Sequence, residues 1–134
     1  MDFFKDAFDG FQPYLDEDAA IKFALNSLLM DRKLFRLVAL VNKSSDVGCI
    51  EGDPGWELES IDESDRQLSG YSSWPEWASY RAAVDSDCFQ LAHPEVYLKE
   101  LEFKSYVKKA LDAYLERNPD SRDELDELNR LIVE

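Results

Sequence analysis

Apolar residues recur at three- and four-residue intervals in several stretches of the chain, and in one short stretch they alternate with acids. In DEDAAIKFALNSLLM, residues 16–30, acids suited to a helix N-terminus precede Ile21, Leu25, Leu28 and Leu29 at helical spacing, which predicts a helix. Asp31 is placed to cap a second segment in which Leu34, Leu37, Val38 and Val41 share one side and Asn42 offers a stop. LFRLVALV also fits a buried strand, because its β-branched content and length leave the period ambiguous; helix is the preferred reading.

The clearest pattern is C-terminal. In KELEFKSYVKKALDAYLER, Leu101 or Phe103, then Tyr106, Val107, Ala110, Leu111 and Tyr114 describe an amphipathic helix that stops at Asn118. Asn118 then caps a further helix with Pro119 at its first position and Leu125, Leu128, Leu131 and Ile132 as its apolar stripe. So short a connection predicts a helical hairpin.

The middle of the chain reads differently. SSDVGCIEGDPG, residues 44–55, is punctuated by Gly48, Gly52, Pro54 and Gly55 and predicts an irregular region. WELESI sets Trp56, Leu58 and Ser60 against Glu57, Glu59 and Ile61, a short, imperfect strand pattern suited to a small hairpin or edge strand with acids on one face. SSWPEWASYRAAV places Pro75 at a first helical position, with Trp77, Tyr80, Ala83 and Val84 recurring after it, and predicts another short helix. The expected fold is α+β and predominantly helical: a single small domain over residues 1–134, with a short β element in the middle and a C-terminal helical hairpin. No internal repeat is visible.

Composition supports one core. A chain of 134 residues that is 45% hydrophobic can bury about two thirds of the surface its unfolded form exposes, and its aromatic content argues against disorder despite a net charge of −14. The opening MDFFKDAFDGF carries acids where a signal peptide has a basic region, and no apolar run approaches the roughly 20 residues of a membrane span, so a cytoplasmic protein that does not engage a membrane is expected. Cys49 and Cys88 lie outside any CxxC spacing and read as free thiols.

Charge changes the picture most. Residues 44–98 hold twelve acids against Arg66 and Arg81, a net −10, whereas the flanking thirds are nearly balanced. Like charges gathered in one region repel and cost stability, so their concentration suggests a cation, a basic partner or a solvated loop. Direct binding to nucleic acid is disfavoured, since such a region repels phosphates.

Catalytic signatures are sparse. His93, before Pro94, is the only histidine, which starves Ser-His, Cys-His and multi-histidine metal chemistry. Neither GxSxG nor a phosphate-binding Gly-rich loop is present, and no calcium-loop spacing occurs. No cofactor or metal is expected. The carboxylates could serve a glycosidase-like hydrolase, but that chemistry needs two groups in distinct environments and a sugar-sized cleft. A basic protein partner is the better expectation, with charge steering the encounter and an aromatic anchor supplying a hot spot. Core packing is the ordinary role of each tryptophan, and Trp56 is the expected exception because turns and acids surround it. The expected partner-binding set is Asp53, Trp56, Glu57, Glu59, Asp62, Glu63, Asp65 and Tyr71, on a monomer without enzymatic activity.

Three stretches, GDPGWELESI, LSGYSSWPEWASYRAAV and LAHPEVYLKELEFKSYVKKALDAYLERNPD, together about half of the chain, resemble the immunity proteins that bacteria encode beside polymorphic or contact-dependent growth-inhibition toxins. The resemblance implies a small cytoplasmic protein that binds and neutralises a cognate toxin domain, commonly a nuclease, and it carries over no individual site residue. The reading of the residues is compatible: an acidic protein can cover the basic surface that a nuclease presents to its polyanionic substrate. A carboxylate-based hydrolase and a generic acidic adaptor are the alternatives.

Overall fold

The computed structural model describes residues 2–42, 47–62, 64–68 and 70–133. The chain opens with a short helix α1 (Phe4–Phe8), followed by the central helix α2 (Ala19–Met30) and α3 (Leu37–Val41), which a 3-10 turn at Leu34–Arg36 precedes. Four strands come next: β1 (Cys49–Gly52), β2 (Trp56–Ser60), β3 (Tyr80–Val84) and β4 (Glu95–Leu98). The chain closes with the long helix α4 (Glu100–Arg117) and α5 (Asp126–Val133). The strands pair antiparallel in sequence order, β1-β2-β3-β4, as a simple meander.

Helix α2 is buried on almost every side, as expected of a helix that is apolar nearly all round. Its one buried polar side chain, Asn26, is satisfied: Oδ1 accepts the Phe3 amide at 2.8 Å. The acids before it do not cap its first turn, since Asp18 makes no side-chain hydrogen bond to the helix amides; they pair with a lysine instead. Lys22 bridges Asp16 at 3.1 Å and Asp18 at 3.5 Å, and Asp18 also accepts a hydrogen bond from Tyr106 of α4. The helix ends through Arg32, whose φ of 58° lets its own amide and that of Lys33 turn back to the carbonyls of Leu29 and Leu28. Asp31 therefore closes α2 rather than capping the next segment. The ambiguous stretch after it is helical.

One face of the sheet, carrying Ile50, Trp56, Leu58, Tyr80, Ala82, Val84 and Leu98, joins the core with the buried residues of α2, α3, α4 and α5. Tyr80 of β3 stacks on Phe103 of α4 with ring centroids 3.9 Å apart. Helix α4 runs where its periodicity placed it, and its start is set by Glu102, which accepts the Lys99 amide at 2.9 Å. Beyond Asn118 the chain makes only a 3-10 turn, Pro119–Ser121, before α5, so the hairpin forms with a longer connection than expected.

Three expectations need correction. The fold is α+β but not predominantly helical, because a four-stranded sheet forms one wall of the core. The segment Tyr80–Val84 is a strand and not a helix: Tyr80, Ala82 and Val84 point into the core while Arg81 and Ala83 take the other face, a period of two. The stretch read as irregular supplies β1, which makes β2 an internal strand rather than an edge.

Candidate functional site

The side of the sheet turned away from α2 is where the acids gather, and strand register explains why. Cys49 and Glu51 of β1 lie opposite Glu59 and Glu57 of β2, Glu59 lies opposite Arg81, and Arg81 lies opposite Tyr97 of β4. Alternation sends all of these side chains to the outer face, because their inward neighbours Ile50, Leu58, Tyr80 and Leu98 are core residues. Glu95 of β4 shares that face.

Arg81 organises the cluster. Its Nη1 donates to Glu57 Oε1 and Glu59 Oε1, each at 2.6 Å, and its Nε donates to Glu95 Oε2 at 2.5 Å. Burial works against the charge, but the hydrogen bonds to Glu57 and Glu95 outweigh it and hold the guanidinium above its ordinary pKa. Three carboxylates thus share one cation. Glu51 adds a fourth, directly opposite Glu57, a cross-strand pair of like charges.

An open cleft of about 620 Å3 lies toward the β1–β2 turn, lined among others by Glu51, Asp53, Glu57, Arg81, Ala83 and Asp85. Cys49 borders the same charges. Burial first, then Glu59, Glu57 and Glu51, push its thiol up to about 11, so it stays protonated at neutral pH and is a poor nucleophile. Among the described residues no group of three or more His, Cys, Asp or Glu side chains is arranged to hold a metal ion.

At the other end of the outer face, the chain between β2 and β3 folds over the sheet as an aromatic cap. Trp74 packs edge-on against both Tyr71 and Tyr97, with centroids 5.5 and 5.3 Å away, and closes a small cluster with Ile61 and Ala78. Tyr71 donates its hydroxyl to Glu59 at 3.4 Å, which ties the cap to the carboxylates. Burial, followed by the charge of Glu59, raises the Tyr71 pKa.

The expected site residues are therefore divided. Glu57 and Glu59 meet around Arg81, Asp53 lies exposed on the adjoining turn and Tyr71 reaches Glu59. Asp62 and Asp65 stand apart beside a second cleft of about 600 Å3, and they serve their own turn: Asp62 Oδ1 accepts Ser64 Oγ at 2.6 Å and the Asp65 amide at 3.0 Å. The Ser64 hydroxyl, then the Asp65 amide, hold the Asp62 carboxyl below its usual pKa. Glu63 lies outside the described residues.

Trp56 departs from expectation. It is only 2% exposed, its indole covers Gly52 on the inner face, and its Nε1 is buried with no acceptor. It is a core residue despite its acidic neighbours. Arg81, Glu95 and Tyr97 were missed, and the signal that would have found them is the two-residue alternation of YRAAV and EVYL.

No helix among the described residues is long and apolar enough to cross a membrane. No protein-family model, curated protein or solved structure matches the chain.

Proposed function

We propose that this chain is a binding protein of the immunity type, which neutralises a basic toxin domain, commonly a nuclease, by laying the acidic outer face of its sheet over that domain's substrate-binding surface. One observation carries the reading: Glu57, Glu59 and Glu95 share a single guanidinium and Glu51 lies across the ladder from Glu57, leaving a face of excess negative charge beside an open cleft. Such a face accelerates encounter with a basic surface and competes with phosphates for it. It needs no chemistry of its own and no contact with nucleic acid.

The hydrolase alternative is less well supported. Glu57 and Glu59 bind the same Nη1, so they lack the separate environments that divide an acid from a base. The test is genetic and kinetic. Expression of this chain should restore growth to cells producing the basic toxin domain encoded beside its gene, and the purified pair should associate at a rate that falls steeply between about 50 and 500 mM salt. Failure to protect, or association indifferent to salt, overturns the proposal.

A further inference from the structure

The meander leaves β1 at the edge of the sheet, and the ladder fixes which of its backbone groups are unpaired. The Ser60 amide donates to the Gly48 carbonyl at 2.9 Å, and the Gly55 amide to the Gly52 carbonyl at 2.8 Å. Bonds to one antiparallel neighbour recur at every second residue, so Gly48, Ile50 and Gly52 bond toward β2, while the N–H and C=O groups of Cys49 and Glu51 point away from the sheet. Both residues are exposed, and β1 contains neither the lysine nor the proline that commonly guards an edge. We propose that this edge takes up an extended segment of the basic partner as an added strand, with a lysine or arginine of that segment set against Glu51. The inference rests on the reading of the outer face as a docking surface and specifies how the partner is held there.

Charge selects the occupant. Among the described residues Glu51 enters no ion pair, and Glu57, directly across the ladder from it, already shares Arg81 with Glu59 and Glu95. An added strand continues the pleat: its side chains beside Cys49 and Glu51 fall on the outer face, and those beside Ile50 fall on the core face. A segment that alternates basic and apolar residues therefore makes an ion pair with Glu51 and an apolar contact at Ile50, a core residue. Backbone hydrogen bonds hold such a strand whatever its sequence, and the alternating side chains select it. A second copy of this chain fits badly, because joining β1 to itself adds another row of glutamates to a face already short of cations.

The probe is a capped octapeptide of alternating lysine and valine, titrated into the intact protein at low salt, with amide hydrogen exchange followed by NMR. In the free protein the Cys49 and Glu51 amides should exchange freely while the ladder protects that of Ile50; bound peptide should slow the first two by about tenfold or more. The same peptide N-methylated at its lysines, whose N–H groups would face β1, should bind about tenfold more weakly. Glu51→Gln should weaken the unmodified peptide. So should Cys49→Pro, which removes one outward N–H and leaves the ladder intact, whereas Cys49→Ser should bind like wild type; circular dichroism confirms folding. If the two peptides bind alike and the Cys49 and Glu51 amides stay unprotected, the added strand is refuted and the acidic docking face stands. Protection that Glu51→Gln does not diminish refutes the charge contact. If neither peptide binds, the docking face falls with the edge. Amides of Cys49 and Glu51 that are already slow in the free protein and quicken on dilution would mean that a second copy occupies the edge, which overturns the proposal.

Discussion

At the scale of single residues, the most informative pair is Gly52 and Trp56, which face one another across the first hairpin. A Cβ on Gly52 would sit 2.6 Å from Cζ2 and 3.0 Å from Nε1 of the indole, closer than real contacts allow. In a strand, alanine would otherwise be favoured over glycine by roughly 0.5–1 kcal/mol, because glycine loses more backbone freedom on folding. Overpacking against a rigid, buried ring costs about 1–3 kcal/mol and should win. Gly52→Ala is therefore expected to lower the chemical denaturation midpoint without changing its slope; a variant as stable as the parent would mean that the indole can move aside. The same contact explains why acidic neighbours misled the reading of Trp56. A residue's place in a strand is set by which face it takes, and Trp56 shares the inward parity of Leu58. Truncating it would cost the fold about 3–5 kcal/mol, so a loss of binding in that variant would report on the core.

At the scale of elements, β3 decides the site, since Arg81 holds β2 and β4 together through side chains as well as through the ladder. The Arg81 side chain is 19% exposed, while those of Glu57 and Glu95 are 36% and 42% exposed. Removing one partner of a buried ion pair costs about 3–5 kcal/mol, and solvent screening of these half-exposed carboxylates reduces that to about 2–3 kcal/mol for Arg81→Met. Three carboxylates would then repel without a cation between them. Salt screens that repulsion and should restore part of the lost stability; a variant whose deficit is the same at about 20 and 500 mM salt would show that the pairs contribute little. This strand was also the hardest to read. Small residues, Ala82 and Ala83, occupy both faces of β3 and flatten its alternation, while Pro75, Trp77, Tyr80 and Val84 imitate a helix start and its stripe. Strands β1 and β4 have four residues each, too few to establish a period. The helices α2 and α4 were legible because 12 and 18 residues repeat their pattern several times. Glu57 and Glu59 were likewise visible in the sequence, but the cation that gathers them lies 24 and 22 residues away, and only sheet pairing brings it near.

At the scale of the whole molecule, a net charge of −14 acts on stability and on binding with opposite sign. Within the fold, the short ion pairs are local: Arg81 with its glutamates, Arg117 with Asp6 at 2.6 Å and Lys22 with Asp16 at 3.1 Å. Contacts of this length are only weakly screened when partly buried, whereas the repulsion among the remaining acids acts over distances comparable to the Debye length of about 10 Å at 0.1 M salt. Sodium chloride therefore removes more repulsion than attraction. Raising it from about 20 to 300 mM should stabilise the isolated protein by on the order of 1 kcal/mol, which for a domain of this size raises the melting temperature by about 3–5 °C. Association with a basic partner should slow over the same range, because its long-range attraction is screened by the same ions. Calorimetric melting and stopped-flow association across one salt series measure both. If the melting temperature falls with salt, local ion pairs outweigh the collected acids. The negative charge of the outer face would then be largely neutralised within the fold, with little left over to steer a partner.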